Sequence, residues 1–134
     1  MIKKIFRPNC SLKLESGEYL ESLEICYHDS GDGTKKVVWI CHALTANSNP
    51  TEWWPEIVGK GKLIDTQKYR VICVNMIGSC YGSTGPTSLS ANGKPYLLDF
   101  PQVTVRDLVE SQNMLREHLD IEEIELMMGA SIGG

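Results

Sequence analysis

The sequence has no Cys-x-x-Cys pair, no histidine–cysteine cluster at zinc spacing, and neither glycine-rich phosphate signature, G-x-x-x-x-G-K-[ST] or G-x-G-x-x-G. Zinc sites of the common spacings and nucleotide binding of those two types are therefore not expected. No apolar run approaches the roughly 20 residues that a membrane-crossing helix needs. The basic start, Met1-Ile2-Lys3-Lys4-Ile5-Phe6-Arg7-Pro8-Asn9, leads into polar sequence rather than the apolar stretch of a signal peptide. Basic excess is also missing, since 13 Lys and Arg against 17 Asp and Glu give a formal charge of −4. A module that lives on a phosphate backbone or an anionic bilayer carries the opposite balance, so neither nucleic acid nor membrane is expected as a partner.

What is present is ordinary for a globular chain. There are 134 residues (15.0 kDa), 42% hydrophobic and 22% charged, enough for one core and too few for two. The five cysteines are an odd number, and Cys26, Cys41 and Cys73 sit inside apolar runs. A free thiol there acts as a small hydrophobe, which predicts reduced, structural cysteines and a cytoplasmic protein.

The patterning changes along the chain. Ser11-Leu12-Lys13-Leu14-Glu15 and Ser22-Leu23-Glu24-Ile25-Cys26-Tyr27-His28 alternate polar and apolar residues, with a turn at Glu15–Glu18 between them. That pattern predicts an antiparallel pair at a sheet edge. After the loop Asp29–Gly33, the runs Val37–Cys41, Arg70–Met76 and, more weakly, Ile124–Met128 are apolar without alternation, as in strands covered on both faces. Val103–Leu119 carries a helical stripe at 105, 108, 109, 115 and 119, with Gln112 as a polar exception and Pro101 just ahead. Strand, loop, strand, helix, strand is an α/β layout with a mainly parallel sheet.

The chemistry lies at the end of the chain. Gly129-Ala130-Ser131-Ile132-Gly133-Gly134 reads G-x-S-x-G straight after a buried strand. A serine on a sharp strand-to-helix turn needs small residues two before and two after it, and the turn lifts its hydroxyl over the sheet. Chance occurrence of the five letters and a glycine-rich helix start made for close packing compete with that reading. A second segment, Cys41-His42-Ala43-Leu44-Thr45, follows the first buried strand. In α/β-hydrolases the corresponding loop and the residue after the nucleophile each supply an oxyanion-hole amide, here those of Leu44 and Ile132.

Several segments taken together resemble the homoserine O-acetyltransferase family, acyltransferases of the α/β-hydrolase fold. They are Cys41–Thr45, Trp53–Thr66, Val71–Asn75, the loop Gly78-Ser79-Cys80-Tyr81-Gly82-Ser83-Thr84-Gly85-Pro86, Asp99–Asp107 and the serine turn. The resemblance runs from about residue 10 to residue 134. One departure is visible, Gly-Ala-Ser-Ile-Gly-Gly where the family more often has G-G-S-M-G-G; it keeps size and backbone donors.

The resemblance implies double displacement. Ser131 takes an acetyl group from acetyl-CoA, a co-substrate rather than a bound cofactor, and passes it to the hydroxyl of L-homoserine in methionine biosynthesis. It further implies a homodimer, a lid that keeps water from the acyl-enzyme, and substrate-loop candidates Thr45, Tyr81, Gly82 and Ser83. The loop 78–101 equally suits a surface Ω-loop, and Trp53 and Trp54 suit core or interface positions.

The triad of this fold runs Ser, then Asp or Glu, then His along the chain. Here His28, His42 and His118 all precede Ser131, and Asp65, Asp99 and Asp107 fit turn or cap roles. Residues 1–134 are therefore expected to be the N-terminal part of a single α/β-hydrolase domain, without the rest of the domain and its lid, and inactive and aggregation-prone alone. Three alternatives stay open: serine as acceptor, succinyl-CoA as donor, and a scaffold of this fold with no catalysis.

Overall fold

The computed structural model describes residues 1–134. Its strands are β1 (Ile2–Phe6), β2 (Leu12–Lys13), β3 (Tyr19–Leu20), β4 (Ile25–Asp29), β5 (Val37–Cys41), β6 (Val58–Gly59), β7 (Ile64–Asp65), β8 (Arg70–Val74) and β9 (Leu126–Gly129). A short α1 (Pro50–Trp53) precedes β6, α2 (Val105–His118) precedes β9, and single 3-10 turns span Leu97–Asp99 and Ser131–Gly133.

Five strands form one sheet in the order β1-β4-β8-β5-β9. β8, β5 and β9 run parallel, while β4 and β1 continue the sheet antiparallel. The parallel strands read from the sequence are therefore adjacent, as an α/β layout requires.

β5 and β8 divide their side chains between two cores. Val37, Trp39, Ile72 and Val74 face one side, where Leu115 and Ile121 close the layer and α2 packs. Val38, Ile40, Val71 and Cys73 face the other, against Val58 and Ile64, with Trp53 and Trp54 at its margin. Both faces are covered, which is why these strands show no polar alternation. β9 departs from that expectation: it is the sheet edge, with Leu126 and Met127 exposed.

The expected edge pair is corrected in its partner. Leu12–Lys13 pairs with Tyr19–Leu20 as a separate hairpin, closed by the Leu14 amide on the Glu18 carbonyl at 2.9 Å. The strand Ile25–Asp29 pairs instead with β1, in register from Ile2↔Asp29 to Phe6↔Ile25. Ile-Lys-Lys-Ile-Phe has no clean period of two, so the pattern conceals β1. Its place is fixed by Lys4, whose Nζ lies 2.9 Å from the buried carboxylate of Asp29, which Arg70 also holds at 3.0 Å.

The helix begins at Val105, two residues into the segment Val103–Leu119 that carries its apolar stripe. Thr104 is the N-cap, its hydroxyl accepting the Asp107 amide while the Asp107 carboxylate accepts the Thr104 amide. This reciprocal box ties down two amides that a helix start leaves unpaired. Leu115 is fully buried, whereas Val105 and Val109, expected on the apolar face, are 60% and 62% exposed. Gln112 turns towards the sheet, where its Oε1 accepts the indole N–H of Trp39 at 2.7 Å.

Candidate active site

The three parallel strands all end on one side of the fold, and their continuations meet there: 42–49 after β5, 75–86 after β8 and 130–134 after β9. At the end of β9, Ala130 is extended and Ser131, the first residue of the 3-10 turn, turns to φ +56°. Left-handed backbone at a residue with a Cβ costs about 1–3 kcal/mol and persists only where its surroundings impose it. Here they do. A Cβ on Gly129 would collide with the Gly133 carbonyl, and one on Gly133 would collide with the Cys41 carbonyl. The two glycines let the turn fold back onto the end of β5, which leaves Ser131 exposed at its crest.

The segment after β5 is cross-braced to the one after β8. His42 is fully buried; its Nδ1 lies 2.7 Å from the Ala43 carbonyl, and its Nε2 lies 3.3 Å from the Met76 amide. Only the neutral ring with the proton on Nδ1 satisfies both partners, donating to the carbonyl and accepting from the amide. Burial lowers the pKa of this histidine against the opposing pull of the Ala43 carbonyl, so the neutral ring is the favoured form. Asn75, also buried, accepts the Ser48 amide at 2.7 Å and donates to the Tyr81 carbonyl at 2.8 Å. Tyr81 in turn donates its hydroxyl to the Thr45 carbonyl at 3.3 Å.

Leu44 sits between these braces, and its amide enters no hydrogen bond within the chain. In the serine turn, the bonds run from the Gly133 amide to Ala130 and from the Gly134 amide to Ser131, which leaves the Ile132 amide uncommitted. Both residues line one cavity of about 240 Å³, together with His42, Met76, Ile77 and Leu108. Ser79 lines it too, and its hydroxyl is a buried side-chain oxygen without a partner in the chain.

The substrate-loop candidates separate in space. Thr45 and Tyr81 are exposed and joined by the bond just described. Gly82 is exposed with φ +108°, its Cα against Cys26, where a Cβ would come within 3.3 Å. Ser83 is buried, donates to the Asn75 carbonyl at 2.6 Å and accepts the Cys26 amide at 2.9 Å. Its hydroxyl holds the loop.

No histidine hydrogen-bonds Ser131. His42 is committed on both ring nitrogens, His28 Nδ1 lies 2.7 Å from the Ser48 hydroxyl, and His118 stacks on Phe6 with centroids 4.2 Å apart. Asp65 accepts the Gly61 and Gln67 amides in a turn, Asp107 completes the helix cap, and Asp99 ends the 3-10 turn Leu97–Asp99. All five cysteines are free thiols, and burial pushes those of Cys41 and Cys73 up, away from the reactive thiolate. No group of three or more His, Cys, Asp or Glu side chains comes together to hold a metal ion. Sequence reasoning misses Asn75 and Ser48, although an asparagine directly after a buried strand is a polar group that must find partners.

A serine raised on a strained turn at the carboxyl ends of parallel strands, followed by a residue that shares a cavity with Leu44, defines a class. Residues 36–134 match the family described as alpha/beta hydrolase fold, and the chain belongs to that family. Its relatives there include a homoserine O-acetyltransferase of Cyclobacterium marinum, 42% identical over 100% of this chain and 39% of the relative. The homoserine O-acetyltransferase structure from Bacillus anthracis superposes with a TM-score of 0.87 at 28% identity, over 98% of this chain and 40% of that one. Esterase E22 superposes with a TM-score of 0.86 at 30% identity, over 98% of this chain and 41% of that one. The resemblance read from the segments is thus borne out, and the chain spans about two fifths of the length of the proteins it matches.

Proposed function

We propose that these residues carry the nucleophile and oxyanion hole of an acyltransferase that moves an acetyl group from acetyl-CoA to L-homoserine. The observation that carries this reading is Ser131 at φ +56° directly before Ile132, which lines one cavity with Leu44, the amides of both being uncommitted within the chain. The Ser131 Oγ attacks the thioester carbonyl carbon, its proton passes to a base, and the C–S bond breaks to release CoA as the thiol. The homoserine hydroxyl then attacks the acyl-serine, giving its proton to the same base; the Ser131 C–O ester bond breaks and Oγ is reprotonated. At each tetrahedral stage the negative oxygen lies between the two amides, each worth a few kcal/mol to the transition state. A covalent intermediate divides one difficult transfer into two easier ones.

His42 holds partners on both ring nitrogens, His28 bonds Ser48 and His118 stacks on Phe6, so this reading assigns the base to none of these three. The names of the relatives support homoserine as acceptor and acetyl as the group moved, and with them a place in methionine biosynthesis. A second reading, an ester hydrolase with water as acceptor, is favoured by the likeness to esterase E22. The test is to mix full-length protein with acetyl-CoA and map the adduct by peptide mass spectrometry. An acetyl group on Ser131 that L-homoserine discharges is expected; acetylation elsewhere, or none, would sink the proposal.

A further inference from the structure

The amide of Leu44 belongs to the same peptide unit as the carbonyl of Ala43. That carbonyl accepts the Nδ1–H of His42 at 2.7 Å, while the other ring nitrogen is pinned by the Met76 amide at 3.3 Å. We infer that His42 is a positioning residue which orients and polarises the Ala43–Leu44 peptide, so that the Leu44 N–H points at the developing oxyanion.

The peptide bond is planar, so fixing the direction of C=O fixes the direction of N–H on the opposite side of the same rigid plane. A surface loop left to itself samples several orientations of such a plane, and a donor helps catalysis only when it is already aimed. His42 is buried with both ring nitrogens engaged, so its ring cannot turn without breaking a bond. A donor on the carbonyl also draws electron density through the amide, strengthening the N–H as a donor. The brace has an anchor on each side of Leu44. The Ala43 carbonyl is held by His42 and by the Ala46 amide at 2.9 Å, and the Thr45 carbonyl by the Tyr81 hydroxyl at 3.3 Å. Nothing in the chain takes the Leu44 amide itself. A histidine that served packing alone would have no need of a particular tautomer or of the adjacent carbonyl.

The inference rests on the reading of Leu44 as an oxyanion donor, and its test separates the two. Asparagine places an N–H close to the position of Nδ1, whereas glutamine reaches the position of Nε2. In full-length protein His42→Asn is expected to keep kcat within a few-fold of wild type. His42→Gln is expected to lower kcat about 10- to 100-fold with KM for acetyl-CoA little changed, short of the roughly 100- to 1000-fold loss of a whole donor. Equal losses in both variants, tracking their loss of thermal stability, would mean a merely structural histidine and overturn the inference. Wild-type protein without Ser131-dependent acyl transfer would remove the reading beneath it, and the inference with it. Nitrogen NMR supplies a readout free of activity: the proton is expected on Nδ1, and a ring protonated only on Nε2 would contradict the inference outright.

Discussion

Gly129 and Gly133 have the least room of any glycines in the fold, and they make the site testable one Cβ at a time. Gly129→Ala must push its methyl against the Gly133 carbonyl, so we expect Ser131 to lose reactivity towards a fluorophosphonate probe, together with a loss of several kcal/mol of stability. Gly93→Ala is the control. Gly93 has φ +77° with open space around it, so alanine there should cost only about 1 kcal/mol and leave labelling intact. Asp29 gives a prediction in pH. Burial pushes its carboxyl up, but hydrogen bonds from Arg70, Lys4 and the Gly31 amide outweigh burial and hold it below the usual carboxylate range. A depressed folded pKa contributes stability that is present above the unfolded value near 4 and lost as pH falls through the folded one. Acid unfolding should therefore steepen below about pH 4, and Asp29→Asn should flatten that limb in a urea titration series. The serine and its glycines are legible from five letters because the turn depends on their small size. Asn75 is not, because its value lies in two backbone groups, of Ser48 and Tyr81, that only the folded chain brings to it.

Among the elements, α2 shows how a local signal and a tertiary one combine. Its start is set by the Thr104–Asp107 box, and Asp107 also accepts the Glu15 amide at 2.9 Å, tying the hairpin of β2 and β3 to the helix. Thr104→Ala should cost about 1 kcal/mol, and Asp107→Ala more, since it frees two amides at once; chemical denaturation of the two variants would measure the difference. β5 and β8 are legible because a strand buried on both faces has no choice but an apolar run. β1 is not, because its residues Ile2 and Ile5 are exposed and its pairing with β4 depends on Lys4 reaching the Asp29 carboxylate. The true partner of β4 escapes the sequence pattern for a related reason. Alternation marks a half-covered strand without saying which neighbour it pairs with, and the turn at Glu15–Glu18 closes a shorter hairpin.

At the scale of the whole molecule, the sheet order explains why distant segments share one site. β8, β5 and β9 lie side by side and parallel, so residues 42–49, 75–86 and 130–134 all leave the sheet at the same edge. In open parallel sheets, ligands bind outside the carboxyl ends of the strands. The loop Gly78–Pro86 is held by Ser83 and Asn75 and contributes Ser79 to the cavity. What distinguishes a transferase from a hydrolase in this arrangement is the acceptor, and that is a kinetic question. The most direct measurement is the rate of CoA thiol release from acetyl-CoA by full-length protein, with and without L-homoserine, alongside Ser131→Ala. Release is expected to rise at least tenfold (about 1.4 kcal/mol of barrier) on adding homoserine and to vanish in the serine variant. Release indifferent to homoserine, or retained without Ser131, would contradict a serine-borne acetyl transfer.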